Sequence, residues 1–133
     1  MRLLVILLLL PSSSKANDTG KRTIYDAIGA IMSIESGFDR FAHNKKENAL
    51  GVLQIRPIMV KEVNSILGWD KYHLNDRIDI NKSIEMFVVF QKHRNPSGYL
   101  EKGVRCWNGG CNGHKKDSTI KYYKKVMKVL NSQ

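Results

Sequence analysis

Apolar residues recur at helical spacing in four separate stretches of this chain, and a helix-stopping residue closes the first three. Ile24, Ile28 and Ile31 fall at i, i+4 and i+7, flanked by Ala27 and Ile34, and Gly37 stands where the run ends. Pro57, tolerated at a first helical position, opens a stretch carrying Met59, Val60, Val63, Ile66 and Leu67, which meets Gly68. Asp79 is placed to cap Ile80, Ile84, Phe87, Val88 and Gln91, and that pattern ends before Pro96. Asp117 or Ser118 can cap a last helix with Tyr122, Val126, Val129 and Leu130. A shorter helix is expected around Tyr99 to Trp107. Evenly spaced alternating strands of a sandwich or barrel are not found. Repeats, low-complexity tracts and long linkers are missing too, so 133 residues read as one mainly α domain. Segment 38–50 is polar and turn-rich, either a loop or a short hairpin.

The first residues read differently. Met1-Arg2 is followed by the unbroken apolar run Leu3 to Leu10, Pro11 breaks it, and Ser14-Lys15-Ala16 puts small residues about one position. That pattern predicts a signal peptide over 1–16 and a mature domain over 17–133. Eight apolar residues at ~1.5 Å each do not cross a hydrocarbon core of ~30 Å, which excludes a membrane anchor there. Of 22 Lys+Arg and 12 Asp+Glu, residues 1–16 hold only Arg2 and Lys15, so 20 basic side chains against the same 12 acidic ones leave the mature chain at +8. An exported cationic protein is expected to meet anionic wall polymers, and nucleic acid and stable membrane insertion are not expected as partners. Lys121, Lys124, Lys125 and Lys128 should form the exposed face of the last helix.

Glu35 lies eleven positions from Ile24 and therefore only about 20° from it around a helix, so a carboxylate sits on the buried stripe. It also falls in a last turn, where the helix dipole is negative. Both placements raise an acid's pKa and suit a general acid. The alternative is a helix that ends early and turns Glu35 to solvent.

Glu35-Ser36-Gly37-Phe38 is followed, after the polar loop, by Gly51-Val52-Leu53-Gln54-Ile55 and Pro57. These blocks resemble the signature of the soluble lytic transglycosylase (SLT) domain in the goose-type lysozyme superfamily. Asp76 to Ile80 is similar to a family segment before a long core helix, Trp107-Asn108-Gly109-Gly110 resembles its Tyr-Asn-Ala-Gly motif, and Thr119, Tyr122 and Val126 match its closing pattern. The blocks lie in order within residues 24–130. The resemblance implies a lysozyme-like domain of five or six helices with a catalytic cleft, acting on peptidoglycan glycan strands. It implies an exported monomer in the periplasm or wall space, without cofactor or metal. A role beside secretion, conjugation or phage machinery is open.

By the same resemblance Glu35 protonates the glycosidic oxygen, then takes a proton from the C6 hydroxyl of N-acetylmuramic acid, leaving a 1,6-anhydro sugar. Ser36 is expected at the substrate side of the acid. Gln54 is expected to bind a sugar amide or hydroxyl, with Gly51 letting backbone approach the ligand. Asn108 is expected to contact substrate, and Trp107, where the family has tyrosine, to stack on a sugar or pack in the core. Tyr122 is expected to approach the Glu35 carboxyl and help hold its proton; Tyr123 lies about 100° away. Asp39 and Glu47 are the carboxyl groups that could activate water in a hydrolase instead. Cys106 and Cys111 bracket the Trp-Asn-Gly-Gly motif, and in an exported protein a local disulfide between them is expected, the alternative being two reduced, partly buried thiols. Cys106, Cys111 and His114 lack the fourth ligand and the tight spacing of a zinc site.

Overall fold

The computed structural model describes residues 20–133; the expected signal segment 1–16 and domain start at Asn17 lie outside the described residues. Five α-helices and one two-stranded ribbon make up the domain: α1 (Ile28–Ser36), β1 (His43–Asn44), β2 (Ala49–Leu50), α2 (Pro57–Leu67), α3 (Ile80–Arg94), α4 (Leu100–Gly109) and α5 (Ile120–Asn131). Short 3-10 turns precede α1 (Ile24–Ala27), α3 (Leu74–Ile78) and α5 (Asp117–Thr119). The mainly α expectation holds, and segment 38–50 is the short hairpin, with His43 paired to Leu50 and Asn44 to Ala49.

Local signals explain most boundaries. Gly37 ends α1 in the left-handed region at φ 58°, with its N–H donating to Ser33. Pro57 opens α2 and Gly68 ends it, again left-handed at φ 81°. Asp79 caps α3 by accepting from the Lys82 N–H at 2.9 Å. The last helix starts one or two residues later than expected, at Ile120 with Thr119 at the cap position, because Asp117–Thr119 winds as a 3-10 turn first.

Helix α3 supplies the centre of the core. Met86, Phe87 and Phe90 are fully buried, and the Trp107 ring of α4 meets Phe87 and Phe90 edge-on at 4.7 and 5.6 Å. Val60 and Val63 of α2, Ala30 and Ile31 of α1, Val104 of α4 and Val126 and Leu130 of α5 close around them. The lysines Lys121, Lys124, Lys125 and Lys128 of α5 are exposed, as its spacing predicts. Among the described residues no helix is long and apolar enough to cross a membrane.

A buried arginine holds the hairpin in place. Arg77 donates from Nη1 to the carbonyls of Asn48 at 2.7 Å and Ile55 at 3.0 Å, and from Nε to Leu74 at 2.8 Å. Its own carbonyl accepts from Ser83 Oγ at 3.0 Å. Polar groups of a non-regular segment must find partners once buried, and one guanidinium supplies three. Gly51, at φ 86°, lies against the Arg77 carbonyl so closely that a Cβ there would overlap the oxygen. The space expected for a ligand beside Gly51 is therefore filled by protein backbone, and the glycine serves the packing of the hairpin.

Candidate active site

The last turn of α1 delivers Glu35 to one wall of a cleft of about 250 Å³. The hairpin contributes Asn44 and Glu47, the loop after it Gln54 and Arg56, the first turn of α2 Ile58 and Met59, and the end of α4 Trp107 and Asn108. Five residues singled out by sequence thus share one cavity: Glu35, Glu47, Gln54, Trp107 and Asn108.

Glu35 is half-buried, and its pKa is raised above the ordinary carboxylate value chiefly by burial. Tyr122 of α5 reaches it from behind, its hydroxyl donating to Glu35 Oε1 at 2.6 Å. That bond favours the ionised acid and opposes burial, Glu47 pushes the pKa up again, and Arg56 pulls it down. Tyr122 therefore orients the carboxyl but does not help it keep its proton. Burial and the neighbouring carboxyl raise the pKa of Tyr122 itself, so it remains a donor. Replacing Tyr122 with phenylalanine removes the donor, makes the ionised form costlier, and is expected to move the Glu35 titration to higher pH. A carboxyl-carbon NMR titration reads this directly, and a downward shift would contradict the assigned hydrogen bond.

Several expected roles change. Ser36 is not among the cleft-lining residues; its hydroxyl donates toward the carbonyls of Val52 at 2.8 Å and Met32 at 3.0 Å, because one step from Glu35 turns it about 100° toward the loop. Gln54 does line the cleft, yet its amide donates both hydrogens to Ala42 and Gly51 carbonyls, each at 2.9 Å. Its backbone is left-handed at φ 50°, a conformation costing ~1 kcal/mol for a residue with a Cβ, and these two bonds hold the turn. Only the Gln54 carbonyl oxygen is left for a ligand. Trp107 is 7% exposed and packs mainly in the core, with an edge on the cleft. Asp39 lies away from the cleft and accepts from the Phe41 N–H at 2.9 Å. Glu47 is the further carboxyl group on the cleft.

The expected disulfide is not formed. Cys106 is buried inside α4 with Sγ 3.2 Å from His114 Nδ1, whereas Cys111 lies past the helix end, exposed, its Sγ 3.4 Å from Glu62 Oε1. The end of α4 turns the two thiols toward different neighbours, and both are free.

Sequence reasoning missed Asn44, Arg56, Ile58 and Met59. Arg56 could have been found, since it sits between Gln54-Ile55 and Pro57 and must share their side of the cleft. Asn44 accepts from the Lys46 N–H at 3.1 Å and shapes the turn that carries Glu47. The Arg56 guanidinium makes no hydrogen bond or ion pair among the described residues and, with Glu47, gives the cleft one charge of each sign.

Compared with known families, residues 13–128 match the profile described as Transglycosylase SLT domain. No curated protein matches the chain.

Proposed function

The chain belongs to the transglycosylase SLT domain family, and from that premise we propose that it is an exported peptidoglycan lytic transglycosylase in which Glu35 acts first as general acid and then as general base. The family carries a peptidoglycan-acting, lytic transglycosylase-type function on a lysozyme-like fold. The observation that carries the finer reading is the single half-buried carboxyl group at the cleft wall, its pKa raised by burial and its geometry held by Tyr122.

In this reading a glycan strand lies along the cleft with the bond between N-acetylmuramic acid and N-acetylglucosamine at Glu35. The protonated carboxyl gives its proton to the glycosidic oxygen as the bond to the anomeric carbon breaks. The sugar's own acetamido group stabilises the positive carbon. Glu35, now a carboxylate accepting from Tyr122, takes the C6 hydroxyl proton as that oxygen bonds to the anomeric carbon. The acid is restored, no water is consumed, and the ring closes to a 1,6-anhydro sugar. Trp107 and Ile58 offer apolar surface to the sugars, and Asn108 and the Gln54 oxygen offer polar contacts. No cofactor or metal takes part in these steps. Residues 1–16 act as the export segment, and the mature chain works as a monomer in the periplasm or wall space.

Turbidity clearing of purified peptidoglycan tests the activity, and mass spectrometry of the products tests the mechanism. Anhydro-muropeptides, about 18 Da lighter than hydrolytic products, are expected from the first minutes, and Glu47→Gln should leave that chemistry unchanged. Predominantly reducing ends at early times would make water the nucleophile and Glu47 its base, the arrangement of a muramidase.

A further inference from the structure

A second concavity, of about 610 Å³, shares no lining residue with the cleft. It lies between the segment leading into the first 3-10 turn, the first half of α4 and one face of α5. Backbone stitches fix its shape: Thr23 and Tyr99 form an antiparallel bridge, and the Ile24 N–H donates to the Gly98 carbonyl at 3.0 Å. Gly103 of α4 lies so close to Ile24 that no side chain fits between them. The groove is part of the rigid domain.

Its chemistry is one-sided. Lys21, Arg22, Lys102 and Arg105 line it against one acid, Glu101, which Arg105 already neutralises at 3.0 Å. Arg22 is bonded to the neutral Asn131, and neither Lys21 nor Lys102 has a carboxylate partner among the described residues. Three cations thus face a concave surface whose apolar part includes Tyr99 and Tyr123. Tyr99 is 55% exposed, with Lys21 Nζ 5.4 Å from its ring centre. Cations gathered in a groove attract an anion, and the flat exposed ring of Tyr99 beside them suits the apolar face of a sugar.

We infer that this groove is a second subsite for peptidoglycan, holding a carboxylate-bearing part of the strand whose glycan is cut in the cleft. The inference rests on the peptidoglycan reading above. The wall polymer offers both required groups within one repeat: a pyranose face for Tyr99, and a carboxylate for Lys21 and Lys102, from the stem peptide or, where the peptide has been removed, from the lactyl group. A lipid surface would call for a convex apolar face. Duplex nucleic acid would call for a longer run of cations along a backbone. Two attachments to one polymer raise the local concentration of cleavable bonds at the cleft without new contacts there.

The test uses Lys21→Glu with Tyr99→Ala, both at exposed positions, in a Glu35→Gln background so that sacculi are bound but not consumed. The double change should weaken sacculus co-sedimentation about a hundredfold, the low end of what a second attachment adds. Amidating the carboxyl groups of the sacculi should weaken binding of the unaltered groove to the same extent. Sacculi stripped of peptides by an amidase, which frees a lactyl carboxylate where each peptide was amide-linked, separate the two sources: lost binding assigns the stem-peptide carboxylate, and retained binding shows that a freed lactyl carboxylate serves in its place. With Glu35 present, the double variant should cleave short soluble glycans that fill only the cleft within about twofold of the parent. Unchanged sacculus binding in the folded double variant overturns the subsite. So does groove-dependent binding to phosphatidylglycerol vesicles with none to sacculi. If the parent chain cleaves no glycan at all, the transglycosylase reading fails, a result separate from either binding outcome.

Discussion

Glu35→Gln is expected to lower peptidoglycan cleavage by roughly two to four decades, the usual contribution of a positioned general acid, while the fold survives. The amide keeps the shape of the carboxyl group, and its oxygen still accepts from Tyr122, but it has no acidic proton to give. More than about a tenth of the parent activity in the variant would count against Glu35 as the acid. Stability supplies an independent reading. Burial lifts the Glu35 pKa above its unfolded value, so across the interval between the two the folded chain keeps a proton that the unfolded chain has released. Stability is then fullest below the unfolded pKa and declines as pH rises through the raised one. Glu35→Gln removes that decline. Its melting temperature should match the parent's in acid and exceed it at neutral pH, the sign expected where a site residue is kept at a cost to the fold. A variant less stable than the parent at neutral pH would show that the carboxyl group is not under the strain its burial implies.

Gly51→Ala should be the most damaging single-methyl change in the domain. Two penalties coincide: a Cβ at φ 86° is conformationally costly, and here it would overlap the backbone carbonyl of Arg77, which cannot rotate away like a side chain. That carbonyl is held by Ser83, and the same arginine grips Asn48 and Ile55 on both sides of the glycine. Relief therefore requires the hairpin to lift off. A loss of ~3 kcal/mol or more is expected, together with loss of cleavage, since Asn44, Glu47 and Gln54 ride on the displaced segment. Thermal melts and a turbidity assay read the two effects. A variant melting within ~2 °C of the parent would mean that the segment yields freely, contrary to the hold of Arg77 on the hairpin.

The helices were legible because their signals are local. Gly37, Pro57, Gly68 and Asp79 each act on a neighbouring turn, and period 3.6 marks the buried faces of α1, α2, α3 and α5. Glu35 stood out for the same reason, as an acid on an apolar stripe. What could not be read is the bonding between segments. Arg77 looks like one more surface cation until the hairpin closes over it, and Gly51 looks like a ligand-facing glycine until Arg77 fills the space. Ser36 and Gln54 were given to the substrate, but backbone carbonyls of the irregular loop claim their donors. The cysteine spacing suggested a bridge, whereas the end of α4 sends the thiols apart.

The Tyr122–Glu35 contact joins the first helix to the last across 87 residues. The carboxyl group and the hydroxyl that aims it thus come from helices far apart in sequence, and only the folded domain brings them together. Until α5 has docked, the core lacks Val126 and Leu130, and the acid lacks the hydroxyl that aims it. In the proposed mechanism a chain whose α5 is undocked thus lacks an aimed acid, and the wall-cutting activity is tied to completion of the fold.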